Sequence, residues 1–225
     1  MQIIELNENG PLFEALYEDI LVPSFPKSEL NDFDFIREAM EAGTDRVWVA
    51  LDDGGTVIGG AIGEWAEEQR IMLLAWFAVR PGQRGGGIGG PLLDHVVAAW
   101  REQFSPCLIL AEIEDPEYHG ATKDDYGDPW SRLRFYQRHG TRVLDLPFFQ
   151  PALDSESPRV FGLFLAALHV DPTLAGTDPD TVDSRILMEY ITDYLESCEG
   201  VAFVDAEAKA LEAALSRPGG VPFRD

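Results

Sequence analysis

Apolar positions along the chain follow two rhythms, near-continuous β-branched and aromatic runs in some stretches and helical spacing in others, and their order sets the expected topology. Residues 2–6 read as a short strand, and Pro11 opens a helix over 12–20, proline being tolerated in a first turn where its missing N–H has no partner to lose. Val22-Pro23-Ser24-Phe25-Pro26 cannot continue that helix, and a second follows over 29–42, where Leu30, Phe33, Ile36 and Met40 fall at helical spacing. The β-rich runs 47–51 and 57–65 flank Asp52-Asp53-Gly54-Gly55-Thr56, a cluster that supplies the positive φ angles of a hairpin turn. Residues 71–79 are almost all apolar, as expected of a central strand covered on both faces, and Arg80-Pro81-Gly82 stops them.

The second half continues the alternation. A helix over 88–104 carries Leu92, Leu93, Val96, Val97 and Trp100 on one stripe, and 107–113 is the next strand. Residues 115–129 are polar and rich in proline and glycine, and read as a long loop. A short helix over 131–139 ends at Gly140, and strands are expected over 143–149 and 160–170. Beyond Asp171-Pro172 come helical patterns over 180–197 and 206–216, so 1–170 reads as one mixed domain and 171–225 as a helical extension.

Composition narrows the function classes. The chain has 225 residues, 45% of them hydrophobic, enough for a well-buried core. Its 17 basic and 40 acidic residues give a formal charge of −23, a field that repels nucleic acid phosphates and anionic lipid heads and attracts cations. The same acidity also serves solubility, so charge alone names no substrate. No apolar segment approaches the roughly 20 residues of a membrane span, and the start has no leader pattern, so the expectation is a cytoplasmic protein. Cys107 and Cys198 are too few for a disulfide framework, and Cys107 sits in an apolar run as a small hydrophobe.

The candidate chemistry lies between the fourth strand and its following helix. Gly85, Gly86, Gly87, Gly89 and Gly90 sit directly before the helix, where free backbone N–H groups converge with the positive end of its dipole, a geometry suited to a pyrophosphate. A P-loop is excluded because no Gly-Lys-Ser or Gly-Lys-Thr follows. Gly85, Gly87 and Gly90 satisfy the dinucleotide pattern G-x-G-x-x-G, which keeps an NAD-dependent enzyme as an alternative, although a hairpin precedes the strand where a parallel crossover is expected.

The run Ala78-Val79-Arg80-Pro81-Gly82-Gln83-Arg84-Gly85-Gly86-Gly87-Ile88-Gly89-Gly90 resembles the acyl-CoA pyrophosphate motif of the GNAT superfamily of N-acyltransferases, with Arg84, Gly87 and Gly89 at its signature positions. Phe135-Tyr136-Gln137-Arg138-His139-Gly140 is similar to a second family segment. The chain has Pro129 and Thr141 where the family often carries Asn and Phe, which leaves acyl-CoA contacts from that helix open.

The resemblance implies a mixed α/β fold with a central sheet of about seven strands flanked by helices, and direct attack of an amine on the thioester of acetyl-CoA, with no metal. It implies that Phe77, Ala78 and Val79 align the pantetheine arm, that the N–H groups from Arg84 through Ile88 to Gly90 hold the pyrophosphate, and that Tyr136 protonates the departing thiolate. For the base, Glu112 and Glu114 project from one face of their strand, and either can take the role; Glu64 is a further candidate. An ion pair to Arg134 or Arg138 is the structural alternative for the two. Trp65, Trp76, Phe25 and Tyr126 are candidate pocket aromatics, His119 has a low claim on substrate, and His95, His139 and His169 read as structural. The expected acceptor is a small, cationic amine; a non-catalytic acyl-CoA-binding module is the rival reading. Whether the C-terminal helices form a homodimer or cover the site stays open.

Overall fold

The computed structural model describes residues 1–120, 127–153 and 157–224. These divide into two compact units, the first holding Met1–Ala66 and Met72–Ser105, the second Glu67–Ile71, 106–120 and 128–224. The architecture is mixed α/β, with seven main strands flanked by helices.

The first unit contains β1 (Gln2–Leu6), α1 (Pro11–Leu16) running into a π-turn (Tyr17–Leu21), α2 (Phe33–Ala42), β2 (Asp45–Leu51), β3 (Val57–Ala66), β4 (Ile71–Val79) and α3 (Gly89–Phe104). Its strands lie in sequence order, β1 antiparallel to β2 and β2 to β3. The β2–β3 turn closes as expected: Asp52 N–H donates to Thr56 O at 3.0 Å and Gly55 takes φ 80°. Helices reach both faces of β3 because it carries glycine where they cross. A Cβ on Gly60 would strike Leu16 of α1, and one on Gly63, on the opposite face, would strike the Trp100 ring of α3. Phe13, Leu16, Ile36 and Met40 then pack with Val47, Val49, Ile62 and Trp76 into one buried core.

The second unit contains β5 (Leu108–Glu114), α4 (Pro116–His119), α5 (Pro129–Arg138), β6 (Arg142–Val143), β7 (Leu163–Val170), β8 (Thr181–Val182), α6 (Ser184–Glu199), α7 (Ala206–Leu215) and β9 (Val221–Pro222). The strand order is β5-β7-β6, all antiparallel. Asp128, Asp183 and Asp205 cap α5, α6 and α7 by accepting from first-turn N–H groups, and Gly140 and Gly200 follow helix ends at φ 82° and 75°.

Several sequence expectations change. The helix expected over 29–42 starts at Phe33, since Asp32 takes the extended N-cap conformation. The loop expected over 115–129 contains α4, one turn capped by Asp115; residues 121–126, including Tyr126, lie outside the described residues. The strand expected over 143–149 shortens to Arg142–Val143, because Pro147 offers no N–H and Asp145 N–H turns instead to Pro222 O at 2.8 Å. The strand over 160–170 starts only at Leu163, after Gly162 at φ 74°. The 171–224 segment is also not purely helical: β8 pairs with β9, and Phe223 bridges Leu144. No helix among the described residues is long and apolar enough to cross a membrane.

Candidate functional site

In the first unit the glycine loop is held from below. Arg80 extends the β3 register by donating its N–H to Ile58 O at 2.9 Å, and its guanidinium is engaged by Val57 O at 2.7 Å and Asp19 Oδ2 at 3.0 Å. Two successive turns follow, Gln83 N–H to Arg80 O at 3.0 Å and Gly86 N–H to Gln83 O at 3.2 Å. Gly85 and Gly87 take φ 81° and 79°, with no atom within 4 Å of where a Cβ would stand, so backbone conformation and not space demands glycine there.

The loop delivers the chain into α3 at Gly89, with Ile88 as a helical N-cap. No side chain caps this end and no acidic residue occupies its first turn. Its first-turn N–H groups and the positive end of a 16-residue helix therefore face outward from an exposed glycine loop, the chemistry of an anion seat. Arg84 adds a cation at the loop surface, where its Nη2 also donates to the buried Ser24 Oγ at 3.2 Å. Phe77 and Val79 are half-buried at the end of β4, while Ala78 packs into the core. β2 and β3 are antiparallel, so the strand that leads into the glycine loop is preceded by a hairpin and not by a further strand–helix–strand crossover.

In the second unit the three predicted side chains sit on β5 and α5. Glu112 and Glu114 end β5, both partly buried. Glu114 forms an ion pair with Arg132 of α5, with carboxyl and guanidinium side chains 14% and 31% exposed. The arginine is thus neither Arg134, which turns to Ser131 and Asp128, nor the exposed Arg138; helical spacing along α5 puts Arg132 one turn before Tyr136. Glu112 has a different partner: Tyr194 of α6 donates its hydroxyl to Glu112 Oε1 at 3.1 Å. Tyr136 is 7% exposed, and burial pushes its hydroxyl well above the usual tyrosine range, with the Arg132 charge acting in the opposite sense. Burial thus favours its neutral, donating form.

The remaining candidates make these contacts within the fold. Trp76 is buried with its indole N–H on Glu29 O at 2.7 Å, Trp65 tilts against Phe104 at 5.1 Å, and Phe25 packs on the core. His95 lies edge-on to Trp48, His139 against Phe135, and His119 Nε2 meets Gly162 O at 3.0 Å. Glu64 stands directly across from Asp45 in the β2–β3 register, and burial lifts it to about 7. Asp45, 5% exposed and with Oδ2 lacking a hydrogen-bond partner, is lifted to about 8 by burial and then by the Glu64 charge. The sequence marks neither Asp45 nor Tyr194: one is a lone acid before a strand, the other one of several aromatics in an amphipathic helix. Among the described residues no group of three His, Cys, Asp or Glu is arranged to hold a metal ion.

Residues 43–140, which include β2 to β5, the glycine loop and Tyr136, match the family model of the acetyltransferase (GNAT) domain. None of the curated proteins matches the chain in sequence. Among solved structures, an acetyltransferase assigned to the GNAT family from Bacteroides thetaiotaomicron is 22% identical, covering 76% of this chain and 88% of that one at a TM-score of 0.57. An aminoglycoside 6'-N-acetyltransferase complexed with coenzyme A is 16% identical, covering 76% and 99% at 0.54. The yncA acetyltransferase from Salmonella typhimurium, with acetyl-CoA, is 17% identical, covering 76% and 95% at 0.53. At these identities the likeness is one of fold.

Proposed function

We propose that the chain, whose residues 43–140 match the acetyltransferase (GNAT) domain, transfers an acetyl group from acetyl-CoA to the amine of a small cationic molecule in a ternary complex. The observation that carries the donor half is the uncapped N-terminus of α3 behind the glycine loop, an anion seat suited to the pyrophosphate. Two solved relatives of the same fold are described with coenzyme A or acetyl-CoA. Phe77 to Val79 would flank the pantetheine arm, Arg84 would add charge to the phosphates, and the N–H groups of Gly85 to Gly90 would hold them.

The amine's lone pair attacks the thioester carbonyl, forming the C–N bond as the C–S bond breaks. Glu112 takes the proton the nitrogen sheds, and Tyr136 gives its phenolic proton to the departing sulfur, recovering one from solvent. Glu112 is favoured over Glu114 because the Arg132 ion pair stabilises the ionised Glu114 carboxylate and so weakens it as a proton acceptor. The formal charge of −23 favours a cationic acceptor by raising its local concentration. One relative of this fold acts on aminoglycosides by its name, which fits a polycationic class.

The test mixes acetyl-CoA with a panel of polycationic, monocationic and neutral amines while free thiol is followed. Thiol release that rises with amine charge and falls with added salt supports the reading. Tight acetyl-CoA binding with no thiol release on any amine would leave a binding module in its place.

A further inference from the structure

The α6 helix lies outside the family-matched residues 43–140, yet it is tied at three points to the strands and loops of its own unit. Asp193 Oδ2 accepts from Gln69 Nε2 at 2.6 Å, Tyr194 donates to Glu112 Oε1 at 3.1 Å, and Glu199 receives the Arg159 guanidinium fork at 2.7 and 2.5 Å. Leu187, Tyr190, Ile191 and Leu195 form its buried stripe, which fixes the rotation of the helix. The Tyr194 ring is stacked on Tyr190 at 6.0 Å and 26°, so its hydroxyl is presented in a set direction. A helix anchored this firmly, with a phenol donating to Glu112, is placed to act on that carboxylate.

We propose that Tyr194 is a positioning residue for Glu112, so that the C-terminal helices supply part of the proton-transfer machinery; this rests on the reading of Glu112 as base. A hydrogen bond into Oε1 orients the carboxylate and favours the ionised form that must be present before attack. Charged and titratable groups on the elements packed against this stretch of β5 include Arg132 and Tyr136 of α5, Tyr190 and Asp193 of α6, and Glu114 on β5 itself, while the cross-strand partner on β7 is the apolar Leu165. Removing the phenol hydroxyl therefore changes the carboxylate's immediate donor and none of these charges.

The experiment compares wild type, Tyr194→Phe, Glu112→Gln and the double variant in the full chain, with amine kinetics across pH, acetyl-CoA affinity by calorimetry, and thermal unfolding. Tyr194→Phe is expected to lower kcat about 10-fold and move the acidic limb of the amine kcat/KM profile to higher pH, with acetyl-CoA affinity unchanged. In the Glu112→Gln background the same change is expected to cost nothing further, because the hydroxyl acts through the carboxylate. A Tyr194→Phe profile that overlays wild type, or losses that add in the double variant, would overturn the proposal. Should Tyr194→Phe not fold, a ring-fluorinated tyrosine placed at 194, a stronger donor of the same shape, is read instead: an acidic limb displaced to lower pH supports the proposal and an unmoved one overturns it. Wild-type protein that turns over no amine would overturn the acyl-transfer reading and this inference together, whereas wild-type turnover with an indifferent Tyr194 variant overturns this inference alone.

Discussion

The glycine loop of the first unit and the β5–α5 face of the second are built from different materials. Around Arg84 to Gly90 the working groups are backbone N–H donors, and the residues matter chiefly for the conformation they permit, as at Gly85 and Gly87. Around Glu112, Glu114 and Tyr136 the candidate groups are side chains, and their surroundings bear on them: the Tyr194 hydroxyl at Glu112, the Arg132 charge at Glu114, and burial at Tyr136. A backbone site is thus indifferent to most side-chain changes and sensitive to φ, while a side-chain site is sensitive to a single atom.

That contrast can be broken most forcefully on the side-chain half. Glu112→Gln should lower kcat by roughly 10²–10⁴ while acetyl-CoA binding measured by calorimetry stays at wild-type strength. Equal weakening of both would show that the carboxylate holds the fold or the donor and is not the base.

Tyr136→Phe comes next, with a loss of about 10² in kcat as the sulfur departs without its proton donor. An acyl donor with a more acidic leaving thiol should recover much of that loss in the variant and little in wild type. A variant equally slow with both donors would remove Tyr136 from the proton path.

On the backbone half, Gly87→Val forces a β-branched residue into φ 79°. The strained loop should weaken acetyl-CoA binding by about 10-fold, as expected of the 1–2 kcal/mol a left-handed residue costs, with kcat at saturating donor nearly unchanged. Arg84→Ala should weaken it less, since that guanidinium lies at the surface and partly engages Ser24. The reverse ranking would mean that side-chain charge, and not backbone, holds the donor.

The smallest effect lies away from both. Asp45 and Glu64 have native values of about 8 and about 7, above the ordinary carboxylate range. At these two sites the folded state binds protons that the unfolded chain releases, so the pair's own contribution to stability is greatest below the ordinary carboxylate values and falls as pH rises toward 8. Asp45→Asn should flatten that fall and raise Tm at pH 8 by roughly 2–4 °C for each kcal/mol of strain relieved, with little change at pH 4, as scanning calorimetry would show. Unchanged pH dependence would mean that the pair is solvated in solution.

Much of this was open to reading in the chain. The hairpin of β2 and β3, the limits of β4 and the glycine entry to α3 follow from local residue choice, and the structure reproduces them. The strand expected over 143–149 failed because the fate of Asp145 N–H is decided by Pro222, far along the chain. The expected salt-bridge partner of Glu114 lay on the right helix but at the wrong position, since spacing names a helix face and packing chooses the residue.

The sequence by itself determined the glycine loop and the helix start behind it, because a backbone that must take positive φ ahead of a helix with no side-chain cap is written directly as glycine. Only the tertiary structure decided which carboxylate is paired with a cation and which with a phenol. Tyr194 and Glu112 stand 82 residues apart, and nothing local to either announces the other. A side chain's chemistry depends on the neighbour that burial brings to it, and that neighbour is chosen by the packing of the whole unit.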